Sequence, residues 1–255
     1  MSLATSTPAA RSADVRRLGG RCWRIVEAQH VVSKLKLVDT LAEQALLEEL
    51  LEESKPPVPP ECRHLHYLLS TPFRYGAPYP RGSRFRKAGA TPGVFYASQL
   101  ATTAMAETAF HRLLFFAESP RTPWPVNAGE HTAFAVSYRT TTGLDLTAAP
   151  FERDAGRYMH PTDYTACQQL ADDARAAGVQ AIRYRSARDP NRGLNVALLA
   201  CAAFKSREPL ERHTWRLHLG PNGSPAICDS AGIRLDFDRG TFAADPRIAG
   251  LRWDR

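Results

Sequence analysis

Between Thr71 and Arg112 the chain reads TPFRYGAPYPRGSRFRKAGATPGVFYASQLATTAMAETAFHR, and Glu107 is the only carboxylate in the stretch. Arg74, Arg81, Arg84, Arg86 and Lys87 precede it in a segment broken by Gly76, Gly82, Gly89 and Gly93. Glycines let backbone N–H groups approach an anion closely, and guanidinium forks grip phosphate oxygens two at a time. Phe73, Tyr75, Tyr79, Phe85 and Tyr96 are interleaved with the cations and offer faces on which a base or a nicotinamide can stack. A carboxylate beyond such a loop can stabilise a developing cation electrostatically. Helical spacing sets Glu107 on one stripe with Ala104, His111 and Leu114, which carries the acid along a largely apolar face. The alternative is an exposed glutamate paired with His111 in a solvated segment. The same basic and aromatic surface also fits a nucleic-acid binder or a nuclease.

These side chains need elements to hold them. GVFYAS, 93–98, reads as a short strand, and Ser98 is placed to cap the helix QLATTAMAETAFHRLLFFAE that carries Glu107. TAFAVSYRT, 132–140, alternates as a half-buried strand. DYTACQQLADDARAAG reads as a helix closed at Gly178, and QAIRYRS, 180–186, as a strand that ends on Ser186. NVALLACAAF fits a buried strand or a short core helix. The tail, TWRLHL to AICDSAGIRLDFD, reads as two or three strands turning at Asp229–Gly232. Upstream, TLAEQALLEELLEES has Thr40 and Glu43 in capping-box spacing and Leu47, Leu50 and Leu51 on an apolar stripe. RIVEAQHVVSKLKL before it reads as a second helix, and KPPVPP stops the pattern. The expected division is a mobile terminus at 1–21, a helical extension with a proline-rich linker at 22–60, and a main domain at 61–255. Strands and helices mix without a regular βαβ repeat, so the expected class is α+β.

The chain has 255 residues, 44% hydrophobic and 23% charged, which suits a folded soluble protein. Its net charge of +7 comes mostly from arginine and favours anionic partners. Cys22, Cys62, Cys167, Cys201 and Cys228 are scattered without C-x-x-C or metal-ligand spacing, which predicts reduced thiols in a cytoplasmic protein. The first twenty residues lack the apolar core of a signal peptide, and VALLACAAF is too short to span a bilayer. Asp236 and Asp238 read as a solvated strand edge rather than a metal pair, and His213 and His218 fall on opposite strand faces. Walker, Rossmann, nucleophile-elbow and zincin motifs are all absent.

Taken in order, FRYG, GSRFRKAG, GVFYAS and ETAFHR, followed by YRSARDPNRGLNVAL, resemble the RES-domain family over roughly residues 65–205. The resemblance implies an ADP-ribosyltransferase-like α+β fold and a toxin of an Xre–RES toxin–antitoxin pair that degrades NAD. It assigns Glu107, Arg84, Tyr96 and Ser186 to the reaction, and Arg74, Tyr75, Gly76 and Arg86 to binding. Tyr96 and Glu107 keep the family's eleven-residue interval. Phe85-Arg86 replaces the family's Trp-Asn pair and the loop before Tyr96 is about two residues longer, so either Arg84 or Arg86 can be the functional arginine. The implied partners are NAD, inorganic phosphate as a possible co-substrate, and an Xre-type antitoxin in an oligomeric complex. Neither a metal, a cofactor, a membrane nor direct contact with nucleic acid is implied, DNA being reached through the antitoxin. Water, phosphate and a protein side chain all stay open as acceptors of the ADP-ribose.

Overall fold

The computed structural model describes residues 14–28, 40–74, 82–89 and 91–255. Its centre is a bent mixed sheet in which β1 (Arg16–Glu27) lies antiparallel along β3 (Gly129–Asp145), from Arg16 opposite Gly143 to Glu27 opposite His131. On its other side β1 meets β2 (Phe95–Ser98) at Trp23 and Ser98. β2 runs antiparallel to β5 (Leu194–Leu198), and β5 antiparallel to β4 (Ala181–Arg185). β4 then pairs in parallel with Gly143–Asp145 of β3, which closes the five strands into a ring. The first half of β3 also carries β6 (Glu211–Leu217), followed by β7 (Ala226–Cys228) and β8 (Ile233–Leu235).

Burial follows from that double duty. Ala133, Phe134, Ala135 and Val136 are all inaccessible, because β3 is covered on both faces. Inside the ring Phe95 packs edge-on against Phe134 and Phe204. On the outside, the helix α3 (Ala101–Glu118) buries Met105, Phe110 and Leu113 with Trp215 and Leu217 of β6. A third cluster seats Phe85 among Leu170, Ile182 and Tyr184, under the helix α4 (Thr165–Ala176). Gly178, at φ +73, supplies the left-handed residue that ends α4, as its sequence position predicts.

Two expectations are corrected. Residues 22–27 are not helical, and the chain is already in a strand at Arg16, so neither a mobile 1–21 nor a helical 22–39 holds where the structure describes them. Cys22, Trp23, Ile25 and Val26 satisfy helical and strand patterns equally, and the partner that decides, β3, lies far along the sequence. The helical part of the extension is α1 (Leu41–Glu53), which has the full Thr40–Glu43 capping box. Its Leu46, Leu50 and Leu51 are exposed. The second correction concerns the thiols: Cys62 and Cys201 are joined as a disulfide with Cα atoms 5.6 Å apart, while Cys22, Cys167 and Cys228 are free and buried. Among the described residues no helix is long and apolar enough to cross a membrane.

Candidate functional site

A cleft of about 790 Å³ opens where β1, β2, α2 (Tyr67–Arg74), α3 and the loop at 82–87 come together. Glu107 projects into it from the middle of α3. One carboxylate oxygen, Oε1, accepts from Ser186 Oγ at 2.6 Å and from Asn195 Nδ2 at 2.7 Å. Both bonds fall on the same oxygen, which leaves Oε2 for the cleft.

The clamp is itself braced. Ser98 Oγ donates to Asn195 Oδ1 at 2.6 Å, so the amide can only present its NH₂ to Glu107. Here the structure departs from the sequence reading: Leu100 occupies the N-cap position of α3 with no side-chain cap bond. The Ser186 hydroxyl, wholly buried, accepts from the backbone N–H groups of Arg188 and Asp189 at 3.1 and 2.8 Å. That leaves its single proton for the carboxylate. Asp189 ties the turn to α3 by accepting from Thr103 Oγ1 at 2.7 Å and from Gly193 N at 3.2 Å. A Cβ on Gly193 would strike Thr103 Oγ1, so the turn can close on the helix only with glycine there.

Tyr96 lines the cleft but its hydroxyl faces the arginine loop, 2.9 Å from Ser83 Oγ and accepting from Phe85 N at 2.9 Å. Burial pushes this phenol up to about 12, so it stays protonated. Arg84 and Arg86 both line the cleft, in a turn made at Gly82 (φ +66). Arg84 reaches the carbonyls of Tyr158 and His160 at 2.5 and 3.2 Å and lies 4.7 Å over the Tyr164 ring. Arg86 is buried and donates from Nε to Thr91 Oγ1 at 3.2 Å. Arg74 is turned away from the cleft, its guanidinium bound to Glu52 at 2.6 Å and to the Pro56 carbonyl at 2.9 Å. Tyr75 and Gly76 lie outside the described residues. Ser186 reaches the cleft only through Glu107.

Several charged groups at the site were given no role by the sequence reading. Arg188 pairs with Asp245 at 2.8 Å, and its guanidinium sits 3.8 Å over the Phe110 ring. Arg247 binds the same carboxylate at 2.8 Å and lines the cleft. Arg24 enters from β1. His111, weighed as a packing or surface residue, stands on the cleft wall. Crowding by protein, joined by Arg188, Arg247 and Arg84 and opposed by Glu107, holds its imidazole below the usual value. Asn195 and Arg188 lay inside the quoted YRSARDPNRGLNVAL; nothing in the pattern marked Arg24 or Arg247. No group of three or more metal-ligating side chains is found among the described residues.

A carboxylate clamped through one oxygen, with several guanidinium groups around it, lies in a concave site on a mixed α/β fold. The sequence profile of the RES domain matches residues 58–220, well over half the chain, and the chain belongs to the RES-domain family. Among solved structures it is similar to the MbcT–MbcA toxin–antitoxin complex of M. tuberculosis, at 14% identity and TM-score 0.46, over 78% of this chain and 85% of that one. No curated protein shows a significant sequence match.

Proposed function

We propose that this protein is a toxin that cleaves the nicotinamide–ribose bond of NAD at Glu107. The observation that carries the reading is the carboxylate itself: it lines the cleft, with Ser186 and Asn195 both bound to Oε1. As the C1′–N1 bond breaks, its electron pair goes to the nicotinamide ring, which leaves neutral, and positive charge develops on the ribose. A preorganised carboxylate stabilises that charge without reorganising, the kind of effect that contributes most to such reactions. Attack by an acceptor oxygen completes the step, and the acceptor's proton passes to Glu107 or to solvent. With water the products are ADP-ribose and nicotinamide; with inorganic phosphate the ribose carries the phosphate instead; a protein side chain would become ADP-ribosylated.

Arg84 or Arg86 holds the pyrophosphate or the incoming phosphate, converting a bimolecular encounter into a positioned one. The Tyr96 ring, in this reading, packs against ribose or nicotinamide while its hydroxyl keeps the arginine loop in place. An Xre-type antitoxin, the partner implied by the family, would occlude the positive cleft mouth with acidic groups in an oligomeric complex. Incubating the purified protein with NAD, with and without phosphate, and weighing the products tests the reading. Release of free nicotinamide is expected, and the mass of the other product identifies the acceptor. Intact NAD beside degraded RNA would instead support the nucleic-acid reading.

A further inference from the structure

Arg24 is a cation built into the cleft wall, with no anion to match it among the described residues. β1 and β2 pair at Trp23 and Ser98 alone. Beyond that point the strands diverge, which leaves the Tyr96 carbonyl without a partner on β1, and the Arg24 side chain spans the opening. Its NH1 donates to Tyr96 O at 2.8 Å, and its guanidinium lies 5.2 Å from the Phe95 ring centroid. Of five donor hydrogens the guanidinium uses one in this way, and among the described residues neither Nε nor NH2 has a bond. Nor does any described carboxylate pair with it, whereas Arg188 and Arg247 share Asp245 and Arg112 pairs with Glu27.

Burial depresses the Arg24 guanidinium to about 10, yet leaves it charged at neutral pH. A half-buried charge with no matching carboxylate among the described residues is costly, and its usual justification is an anion supplied from outside. Thr71 and Pro72 of α2 also line the cleft, but Arg74 of the same helix is held by Glu52 instead. Arg24 lies outside residues 58–220, so the family profile does not cover it.

We infer that Arg24 is a substrate-binding residue whose free guanidinium edge takes the pyrophosphate of the dinucleotide. The inference rests on the NAD reading above, since pyrophosphate is the anionic part of that substrate. A purely structural brace across the β1–β2 opening would need only the bond to Tyr96 and would not be sensitive to phosphate.

The test uses the full chain with Glu107→Gln, so that NAD is bound without being consumed, and compares Arg24 with Arg24→Ala, Arg24→Gln and Arg24→Lys by calorimetry. NAD, ADP-ribose and nicotinamide are the probes. Arg24→Ala should weaken NAD and ADP-ribose by about ten- to a hundredfold, the range of one or two charge-assisted bonds. Arg24→Gln should behave similarly, Arg24→Lys should recover part of the loss, and nicotinamide affinity should not move. Folded variants that bind ADP-ribose as tightly as the parent overturn the assignment, as do variants that lose nicotinamide and ADP-ribose to the same degree. If the parent itself binds neither NAD nor ADP-ribose, it is the NAD reading that falls, and the role of Arg24 with it.

Discussion

Removing one oxygen from Ser186 separates what the clamp does for stability from what it does for chemistry. Ser186→Ala deletes the 2.6 Å bond to Glu107 and strands the N–H groups of Arg188 and Asp189, which the hydroxyl accepts. Each buried donor left unsatisfied costs about 1–3 kcal/mol, and a hydrogen bond to a charged group contributes about 1.5–3 kcal/mol. The site is inaccessible to solvent, so water cannot repair it. Taking the low end of each range, a loss of about 3.5 kcal/mol follows, about 7–14 °C in melting temperature for a chain of this size. Glu107 keeps Asn195 but gains a rotational freedom, so kcat for NAD cleavage should drop about ten- to a hundredfold while KM barely changes. Differential scanning calorimetry and a nicotinamide-release assay read the two effects. Asn195→Ala, and the double variant, complete a cycle in which side chains sharing one carboxylate oxygen should couple by about 0.5–3 kcal/mol. Unchanged melting, or a large melting shift with full NAD turnover, would refute the clamp.

Glu107→Gln should remain folded and lose nicotinamide release by at least about a hundredfold, because volume is kept and charge removed; wild-type turnover in the folded variant overturns the site. Arg84→Ala should loosen residues 158–164 as well as weaken NAD binding, read by hydrogen exchange, since its guanidinium holds the Tyr158 and His160 carbonyls. If Arg86→Ala proves the more damaging for NAD with no change in exchange, the functional arginine is Arg86. His131 and His111 are held below their usual value, with protein burial the first cause of each. Their folded forms therefore bind fewer protons than the unfolded chain just below pH 6.5, so stability should fall as pH drops through that window. Histidine titrations by NMR that report either group above 6.5 contradict this. Ellman's reagent should find no reactive thiol in the native protein, because the free cysteines are buried and the Cys22 thiol is pushed up to about 12. In denaturant three thiols should appear, and five after reduction; five without reductant would mean that Cys62 and Cys201 are not bonded.

What could be read from the sequence was local. The interval from Tyr96 to Glu107 is a strand, a two-residue step and two turns of helix, all set by neighbouring residues. The strand that delivers Ser186 shows its alternation in the seven residues QAIRYRS, and the capping box of α1 is written in Thr40 and Glu43. What escaped depends on segments meeting at a distance. Arg24 joins the cleft only because β1 pairs with β3, and that pairing cannot be seen in an apolar run that suits a helix equally well. Asp245 and Arg247 join it because a single helical turn near the end of the sequence packs on α3. Arg74 is the opposite case: its motif was legible, but Glu52 of α1 and the Pro56 carbonyl of the linker hold its guanidinium. Deleting residues 1–54 would remove β1 from the ring.

The pairing of β1 with β3 bears on when the cleft can first be assembled. Cys22 leaves the ribosome early, but its partner Val136 follows more than a hundred residues later. The parallel contact of β3 with β4 waits longer still, until Ala181. Closing such long loops is the slow part of building a sheet. A nascent chain therefore carries Glu107 on a helix long before Asn195 and Ser186 arrive to fix it, and Arg188 has no carboxylate until Asp245 emerges. Topology thus completes the Glu107 site only after the segments carrying Ser186, Asn195 and Asp245 have emerged and joined α3.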